Sequence, residues 1–155
     1  MTPDSAAMGA GAYLPHAGDA LLLDAVTQVD EYQTLGTARV RNPNPFCADE
    51  NGWPSWIAIE LMAQVVAAGA GLRELRPGQK PRLGLLLGVR EFHCSLPVFQ
   101  TDAVLRVEAT ESTRDAHGMG VFDCTLETGG HVVASAILSV YLPEDVDEYL
   151  GSLEP

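Results

Sequence analysis

The sequence predicts an α+β fold in which a single antiparallel sheet curls around one buried helix. The stretch from 53 to 72 contains no Lys, Arg or Asp and is apolar on nearly every helical face, which is typical of a buried helix. Two runs of strand composition precede this stretch and four follow it, with turn signals between them. One sheet wrapped around one helix leaves an open side, so the fold also favours a dimer.

The helix itself has a recognisable start, end and polar interruption. A Pro-Ser pair at 54–55 suits the first helical turn, and a Pro-Gly pair ends the helix near 73–75. Two polar side chains interrupt the apolar stretch, Glu60 and Gln64. They are four residues apart, so they lie on one helical face and can touch. A carboxylate in apolar surroundings needs a partner, so Glu60 is either part of a structural pair or a catalytic acid.

The strands are predicted from runs of β-branched, aromatic and alternating residues. These runs cover 21–29, 33–41, 82–94, 103–113, 120–126 and 131–142. Gly129 and Gly130, between the last two runs, are a tight hairpin signal. Segment 42–52 contains two Asn-Pro pairs and an Asn-Gly pair, which predict a loop.

The chain is predicted to form one globular domain, because it has 155 residues of which 46% are hydrophobic. This domain spans 13–143. Residues 1–12 are small and Gly-rich without periodicity, which predicts a flexible N-terminal tail. Residues 144–155 form an acidic C-terminal tail.

Composition excludes several classes of function. The net charge of −12 argues against nucleic acid as a partner, because phosphate binding needs an excess of Lys and Arg. No basic segment followed by an apolar run marks a signal peptide, and Glu60 and Gln64 argue against a membrane span, so a cytoplasmic protein is predicted. The cysteines at 47, 94 and 124 are too few and too far apart for a disulfide framework or a zinc site, and we expect small core residues. No metal or organic cofactor is implied.

Three stretches resemble the β-hydroxyacyl-(acyl carrier protein) dehydratases, which are enzymes of the hot-dog fold. YLPH at 13–16 with LLLD at 21–24 resembles their Leu-Pro-His…Leu-Leu-Val-Asp opening. IELMAQ at 59–64 is similar to their Ile-Glu-Ala-Met-Ala-Gln helix motif, and LGVREF at 87–92 is similar to the strand that follows it. The resemblance covers roughly 13–142 and implies a hot-dog fold that assembles as a double-hot-dog dimer.

The chain is similar in further detail to a divergent branch, the hot-dog dehydratases of aryl-polyene pigment gene clusters. Shared features are the Tyr-Leu-Pro-His opening, a Pro-x-Trp before the helix glutamate, a Leu-Leu-Gly after the helix and VFDC at 121–124. The resemblance implies dehydration of a 3-hydroxyacyl thioester to the trans-2-enoyl thioester in polyene or fatty-acid-like chain synthesis. The implied partner is an acyl carrier protein with a phosphopantetheine-linked acyl chain.

The loop before the helix departs from the family pattern. The standard dehydratases carry a catalytic His there, in a Gly-His-Phe-Pro-Gly sequence, whereas residues 46–54 of this chain are FCADENGWP. An alternative interpretation is therefore a catalytically weak or silent hot-dog subunit that completes a heterodimeric dehydratase, so the dimer is either homo- or heteromeric. A further alternative is an acyl thioesterase on the same fold, whose helix carboxylate would activate water.

Dehydration needs a base for the α-proton, an acid for the departing hydroxyl and donors for an enolate-like oxygen. The resemblance assigns the acid to Glu60, and burial favours the protonated form that a general acid requires. His16, in the family-like opening, is the predicted base or orienting group, and it can approach Glu60 across a dimer. Structural alternatives are a Glu60 satisfied by Gln64 and a His16 that only anchors the N-terminal segment. The remaining histidines lie beside turns or in a strand: His93, His117 and His131.

The turn before the helix supplies candidate substrate contacts. Free N–H groups and the positive end of the helix dipole after 51–53 suit a developing oxyanion, and Gly52 lets a thioester approach closely. Trp53 and Gln64 complete the predicted substrate-binding set, although Gly52 can equally be a plain turn glycine and Trp53 a core residue. The basic residues between 73 and 90 either dock the acidic carrier protein or form a solvated face near the helix end.

Overall fold

The computed structural model describes residues 8–9, 20–41, 51–74, 84–143 and 151–153. Within these ranges an 18-residue helix, α1, spans Ile57–Glu74. The strands are β1 (Met8–Gly9), β2 (Ala25–Val29), β3 (Gln33–Arg39), β4 (Gly52–Pro54), β5 (Leu85–Cys94), β6 (Val98–Gln100), β7 (Val104–Arg114), β8 (Met119–Thr128) and β9 (His131–Tyr141).

Seven strands form one antiparallel sheet in the order β1-β2-β3-β7-β8-β9-β5. β5 follows α1 in sequence but pairs with β9 at the far edge of this sheet. β4 and β6 pair separately in a two-stranded sheet. Gly129 and Gly130 join β8 to β9 with φ angles of 60° and 79°, which confirms the predicted tight hairpin.

The core lies between α1 and the inner face of the large sheet. The helix packs mainly against β2, β3, β7 and β8. Side chains alternate along the strands, so Leu105, Val107 and Ala109 of β7 point into the core. The helix contributes Leu61 and Val65, which are completely buried.

The predicted α+β order of elements is confirmed, and the helix ends within the predicted range. It begins later than predicted, at Ile57, because Pro54 belongs to β4 and the Ser55 N–H donates to the Pro97 carbonyl (3.1 Å). The sequence does not reveal β4 or β6, since three residues carry too little periodicity to mark a strand.

The N-terminal segment expected to be a flexible tail contains a short strand. Met8 and Gly9 pair with Val26 and Ala25 of β2. None of the described helices is long and apolar enough to cross a membrane.

The cysteines follow the prediction where they are described. Cys124 is buried in the core and Cys94 is partly buried, and both are free thiols. Cys47 lies outside the described residues.

Candidate active site

Glu60 and Gln64 lie side by side on α1. Gln64 Nε2 donates a hydrogen bond to Glu60 Oε1 (2.9 Å), which confirms that the two polar residues share a helical face. Gln64 is completely buried, whereas Glu60 is half-buried. The carboxyl group of Glu60 therefore lies at the border between the core and the open side of the helix.

The side-chain amide of Gln64 is fully occupied by protein groups. Its Nε2 also donates to the Ala20 carbonyl (2.8 Å), and its Oε1 accepts the N–H groups of Leu22 and Leu23, both at 3.0 Å. A primary amide has two N–H donors and two acceptor lone pairs, so these contacts use all four. In this arrangement Gln64 anchors the segment before β2 and orients Glu60, and it has no donor or acceptor left for a substrate.

The open side of α1 carries a stripe of side chains spaced three or four residues apart. Trp56 is exposed, and Glu60, Ala63 and Ala67 are half-buried. Apart from Glu60, these side chains are apolar. A ligand or a second subunit that lies along the stripe therefore contacts the carboxyl group of Glu60.

A second set of contacts holds the segment before β2. Arg41 Nη2 donates to the Leu21 carbonyl (3.1 Å), and Arg41 Nη1 forms an ion pair with Asp24 Oδ1. Asp24 Oδ2 accepts the N–H of Arg39 (2.7 Å). The segment that Gln64 ties to the helix is thus also tied to the end of β3.

Trp53 is a core residue with contacts to Arg41. The side chain of Trp53 is 0% exposed, and its indole N–H donates to the Arg41 carbonyl (3.0 Å). The Arg41 guanidinium lies 5.8 Å from the ring centroid, in the range of a cation–π contact. These contacts support the core interpretation of Trp53 over the substrate-binding one. No local pattern in the sequence marks Arg41, because its partners Asp24 and Trp53 are distant along the chain.

Gly52 lies in β4 opposite Gln100. A larger residue is excluded there, since φ is 144° and a Cβ would lie 1.9 Å from the Phe99 carbonyl oxygen. The close pairing of β4 with β6 therefore accounts for the glycine without a ligand. A contact between its backbone and a thioester oxygen stays a prediction.

The predicted base, His16, lies outside the described residues. The other three histidines are exposed: His93 on β5, His117 in the β7–β8 turn and His131 at the start of β9. Exposure at the two turn positions agrees with the solvated state predicted for them. In the described part of the chain, no group of three or more His, Cys, Asp or Glu is placed to hold a metal ion.

Arg73, at the end of α1, is engaged in structural contacts. Its Nε donates to the Asp30 carbonyl (2.8 Å) and its Nη2 to Thr34 Oγ1 (3.0 Å). Burial lowers the pKa of this guanidinium. Arg73 therefore ties the helix end to the β2–β3 turn, while Arg90 is exposed on β5. The other basic residues of the predicted cluster lie outside the described ranges: Arg76, Lys80 and Arg82.

Comparison with known proteins identifies the family of this chain. The sequence matches the ApeP-like family, ApeP dehydratase, over residues 8–151. The chain belongs to this family. The resemblance to the hot-dog dehydratases of aryl-polyene clusters is thereby confirmed. No curated protein matches the sequence.

Solved structures share the fold of this ApeP-like chain. The dehydratase heterocomplex ApeI:P from Xenorhabdus doucetiae is 25% identical with a TM-score of 0.82, and the match covers 95% of this chain and 99% of that chain. A sigma28-regulated virulence protein from Campylobacter jejuni is 11% identical with a TM-score of 0.65, and the match covers 89% of this chain and 88% of that chain. A hypothetical thioesterase with coenzyme A from Streptococcus pneumoniae is 16% identical with a TM-score of 0.55, and the match covers 76% of this chain and 83% of that chain. The predicted hot-dog fold is confirmed.

Proposed function

We propose that the chain is a subunit of a dehydratase that converts a 3-hydroxyacyl thioester on acyl carrier protein to the trans-2-enoyl thioester, in polyene or fatty-acid-like chain synthesis. The observation that carries this proposal is Glu60, which Gln64 holds on the open stripe of α1 in a member of the ApeP-like dehydratase family. The phosphopantetheine arm of the carrier would bring the acyl chain to this stripe.

In the proposed reaction, a base removes the α-proton from C2 while Glu60 delivers a proton to the hydroxyl group on C3. The C3–O bond breaks, the electron pair of the C2–H bond becomes the C2–C3 double bond, and water leaves. Proton exchange with solvent then restores the base and Glu60. The hydrogen bond from Gln64 fixes the orientation of the carboxyl group, which a general acid needs.

His16 is the proposed base of a self-sufficient enzyme. The Ala20 carbonyl oxygen and the Glu60 carboxyl oxygen lie 2.8 and 2.9 Å from the same nitrogen of Gln64. His16 is four residues before Ala20 in the sequence, and four extended residues span at most about 14 Å. This tether permits contact with Glu60 in the same chain as well as across a dimer.

The surface of β5 supports a second subunit. None of the ten residues of β5 is buried, and Leu86 and Leu87 are 42% and 50% exposed. The helix packs mainly against β2, β3, β7 and β8, so β5 is not among its main packing partners. The first half of β5, LLLGV at 85–89, is apolar, and an exposed edge strand is a site for pairing with another chain. A second hot-dog subunit on this edge would bury both leucines.

A heterodimer is the second candidate, and two observations favour it. Residues 46–54 contain no histidine where the standard dehydratases have one. The structural relative at 25% identity is a heterocomplex of dehydratase subunits. In this arrangement the chain would supply Glu60 and structural support, and a different hot-dog subunit would supply the base.

The test follows enoyl absorbance and free thiol release together, using a 3-hydroxyacyl pantetheine thioester. The chain is assayed alone and after co-purification with a hot-dog subunit. Enoyl formation by the chain alone would support His16 as base, and formation only by the complex would support the heterodimer. Release of free thiol without any enoyl product would contradict both and indicate a thioesterase.

A further inference from the structure

Arg41 connects the end of β3 to the segment before β2 and to the strand that leads into the helix. Its Nη2 donates to the Leu21 carbonyl (3.1 Å), and its Nη1 forms an ion pair with Asp24 Oδ1. Its own backbone carbonyl accepts the indole N–H of Trp53 (3.0 Å), and its guanidinium lies 5.8 Å from the centroid of that ring. A guanidinium presents its donors in a fixed planar fork, so one side chain can hold a carbonyl and a carboxylate at the same time. Arg41 therefore fixes the segment before β2 relative to Trp53.

The ion pair of Arg41 contributes little to the stability of the whole fold. The side chains of Arg41 and Asp24 are 42% and 44% exposed. Ion pairs with this exposure are screened by water and salt, and they stabilise a folded chain only slightly. The pair therefore determines the local conformation of the segment rather than whether the chain folds.

The same segment fixes the side-chain amide of Gln64. Gln64 Nε2 donates to the Ala20 carbonyl (2.8 Å), and Gln64 Oε1 accepts the Leu22 N–H (3.0 Å). Leu21, whose carbonyl accepts the guanidinium, lies between these two residues in the sequence. The second hydrogen on Nε2 is donated to Glu60 Oε1 (2.9 Å). Because the oxygen and the nitrogen of the planar amide are both bonded to this segment, a shift of the segment turns the amide and moves its second N–H away from Glu60.

We propose that Arg41 is a positioning residue for the candidate acid and acts on Glu60 through the segment before β2 and Gln64. This inference rests on the proposed dehydratase function and deepens it. A general acid must lie at the correct distance and angle, and a misplacement of about 1 Å can cost about 100-fold in rate. Loss of the contacts of Arg41 should therefore lower kcat. KM should change little, because Arg41 binds the backbone of its own chain rather than the substrate.

The kinetic test uses Arg41→Lys in the purified active complex, which is either the homodimer or the complex with a different hot-dog subunit. Lysine keeps the positive charge but lacks the planar fork. With a 3-hydroxyacyl pantetheine thioester, Arg41→Lys should lower kcat for enoyl formation about fivefold to 50-fold and change KM less than about threefold. Arg114→Lys is the matched control, because the Arg114 side chain is 40% exposed and forms an ion pair with Glu111 on β7. Wild-type kcat in Arg41→Lys, or a change in KM alone, would overturn the inference.

The double variant with Glu60→Gln tests whether Arg41 acts through the acid. If the effect of Arg41 on the rate passes through Glu60, Arg41→Lys should lower kcat less than about twofold once Glu60 has been replaced. The same fractional loss of kcat with and without Glu60 would mean that Arg41 supports the complex in general, and it would overturn the inference.

Amide hydrogen exchange separates this inference from the proposed function, because it requires no turnover. The backbone N–H groups of Leu22 and Leu23 donate to Gln64 Oε1, so their exchange rates report how firmly the segment is held. Arg41→Lys should raise both rates about threefold to tenfold, while urea denaturation shows little change in the free energy of unfolding. Asp24→Asn, which removes the charge of the other partner, should raise both rates in the same way.

The two measurements together give distinct outcomes. If the complex forms no enoyl product but both exchange rates rise, the dehydratase proposal fails and the coupling from Arg41 to Gln64 stands. If the complex is active but neither variant changes the exchange rates, the dehydratase proposal stands and the coupling is overturned.

Discussion

Gln64 Nε2 lies 2.9 Å from Glu60 Oε1, so a completely buried amide and a half-buried carboxyl group form one hydrogen-bonded unit. The same nitrogen donates to the carbonyl of Ala20 (2.8 Å). The unit therefore joins α1, the segment before β2 and the candidate acid. The two residues have different roles in this unit. Gln64 stabilises the fold, and Glu60 lies on the open stripe.

Replacing Gln64 should cost more stability than replacing Glu60. Gln64→Met removes the partners of three backbone groups, on Ala20, Leu22 and Leu23. Each buried group left without a partner costs about 1–3 kcal/mol, so the free energy of unfolding should fall by about 3 kcal/mol or more. Glu60→Gln keeps a hydrogen-bond acceptor for Gln64 and should change the free energy of unfolding by less than about 1 kcal/mol. Equal losses in urea denaturation would contradict these assignments.

Gly69→Ala tests the contact between the helix and β3. A Cβ at Gly69 would lie 2.0 Å from Thr34 Oγ1 and 2.9 Å from Arg73 Nη1. The substitution should therefore lower the free energy of unfolding by about 1–3 kcal/mol, despite the higher helix propensity of Ala. Thr34→Ala removes the clashing hydroxyl, so the double variant should lose less than the two single variants together. Strictly additive losses would rule out this clash.

Cys124 predicts a loss of stability at alkaline pH. Burial, with a smaller contribution from Asp123, raises the pKa of its thiol from 9.0 to about 12. As the pH rises, the thiol therefore loses its proton in the unfolded state before it does so in the folded state. The contribution of the protonated thiol to the free energy of unfolding is complete below pH 9 and declines as the pH rises toward 12. The stability of the wild type relative to Cys124→Ala should fall by up to about 1.4 kcal/mol per pH unit in this window. If urea denaturation at pH 8, 9 and 10 gave a constant difference in free energy of unfolding between the wild type and Cys124→Ala, this prediction would be wrong.

Asp115 predicts the opposite dependence in acid. The backbone N–H groups of Met119 and His117 donate to Asp115 Oδ1 and lower the pKa of this carboxyl group below its ordinary 3.8. Its contribution to stability is therefore present above that value and is lost as the pH falls through the folded-state pKa. Thermal unfolding should show Asp115→Ala less stable than the wild type at pH 7, with the gap closing below about pH 4. A gap that persists in acid would show that the carboxylate charge is not responsible.

The helix and its polar pair could be predicted because their signals are local. Apolar residues on all helical faces predict burial, and a four-residue spacing predicts contact between Glu60 and Gln64. The strand runs after the helix are likewise long enough for alternation to show. Membership of the hot-dog dehydratases followed from short motifs in the right order.

The remaining features depend on contacts between distant parts of the chain. No pattern near Arg41 in the sequence predicts its contacts with Asp24 and Trp53. The backbone N–H groups that occupy the Gln64 side-chain oxygen lie more than forty residues away in the sequence. Composition alone also leaves Trp53 and Trp56 equivalent, whereas pairing of β4 with β6 accompanies complete burial of the first and leaves the second exposed.

The central claim, that Glu60 is the acid of a dehydratase, is tested most directly by comparing Glu60→Gln with Glu127→Gln in the purified active complex, which is either the homodimer or the complex with a different hot-dog subunit. Glu127 is a half-buried glutamate on β8 and serves as the matched control. Glu60→Gln should lower kcat for enoyl formation about 100-fold or more, the loss typical of a missing general acid, with the complex intact, while Glu127→Gln keeps wild-type activity. A Glu60→Gln complex that forms enoyl product at the wild-type rate would contradict the account.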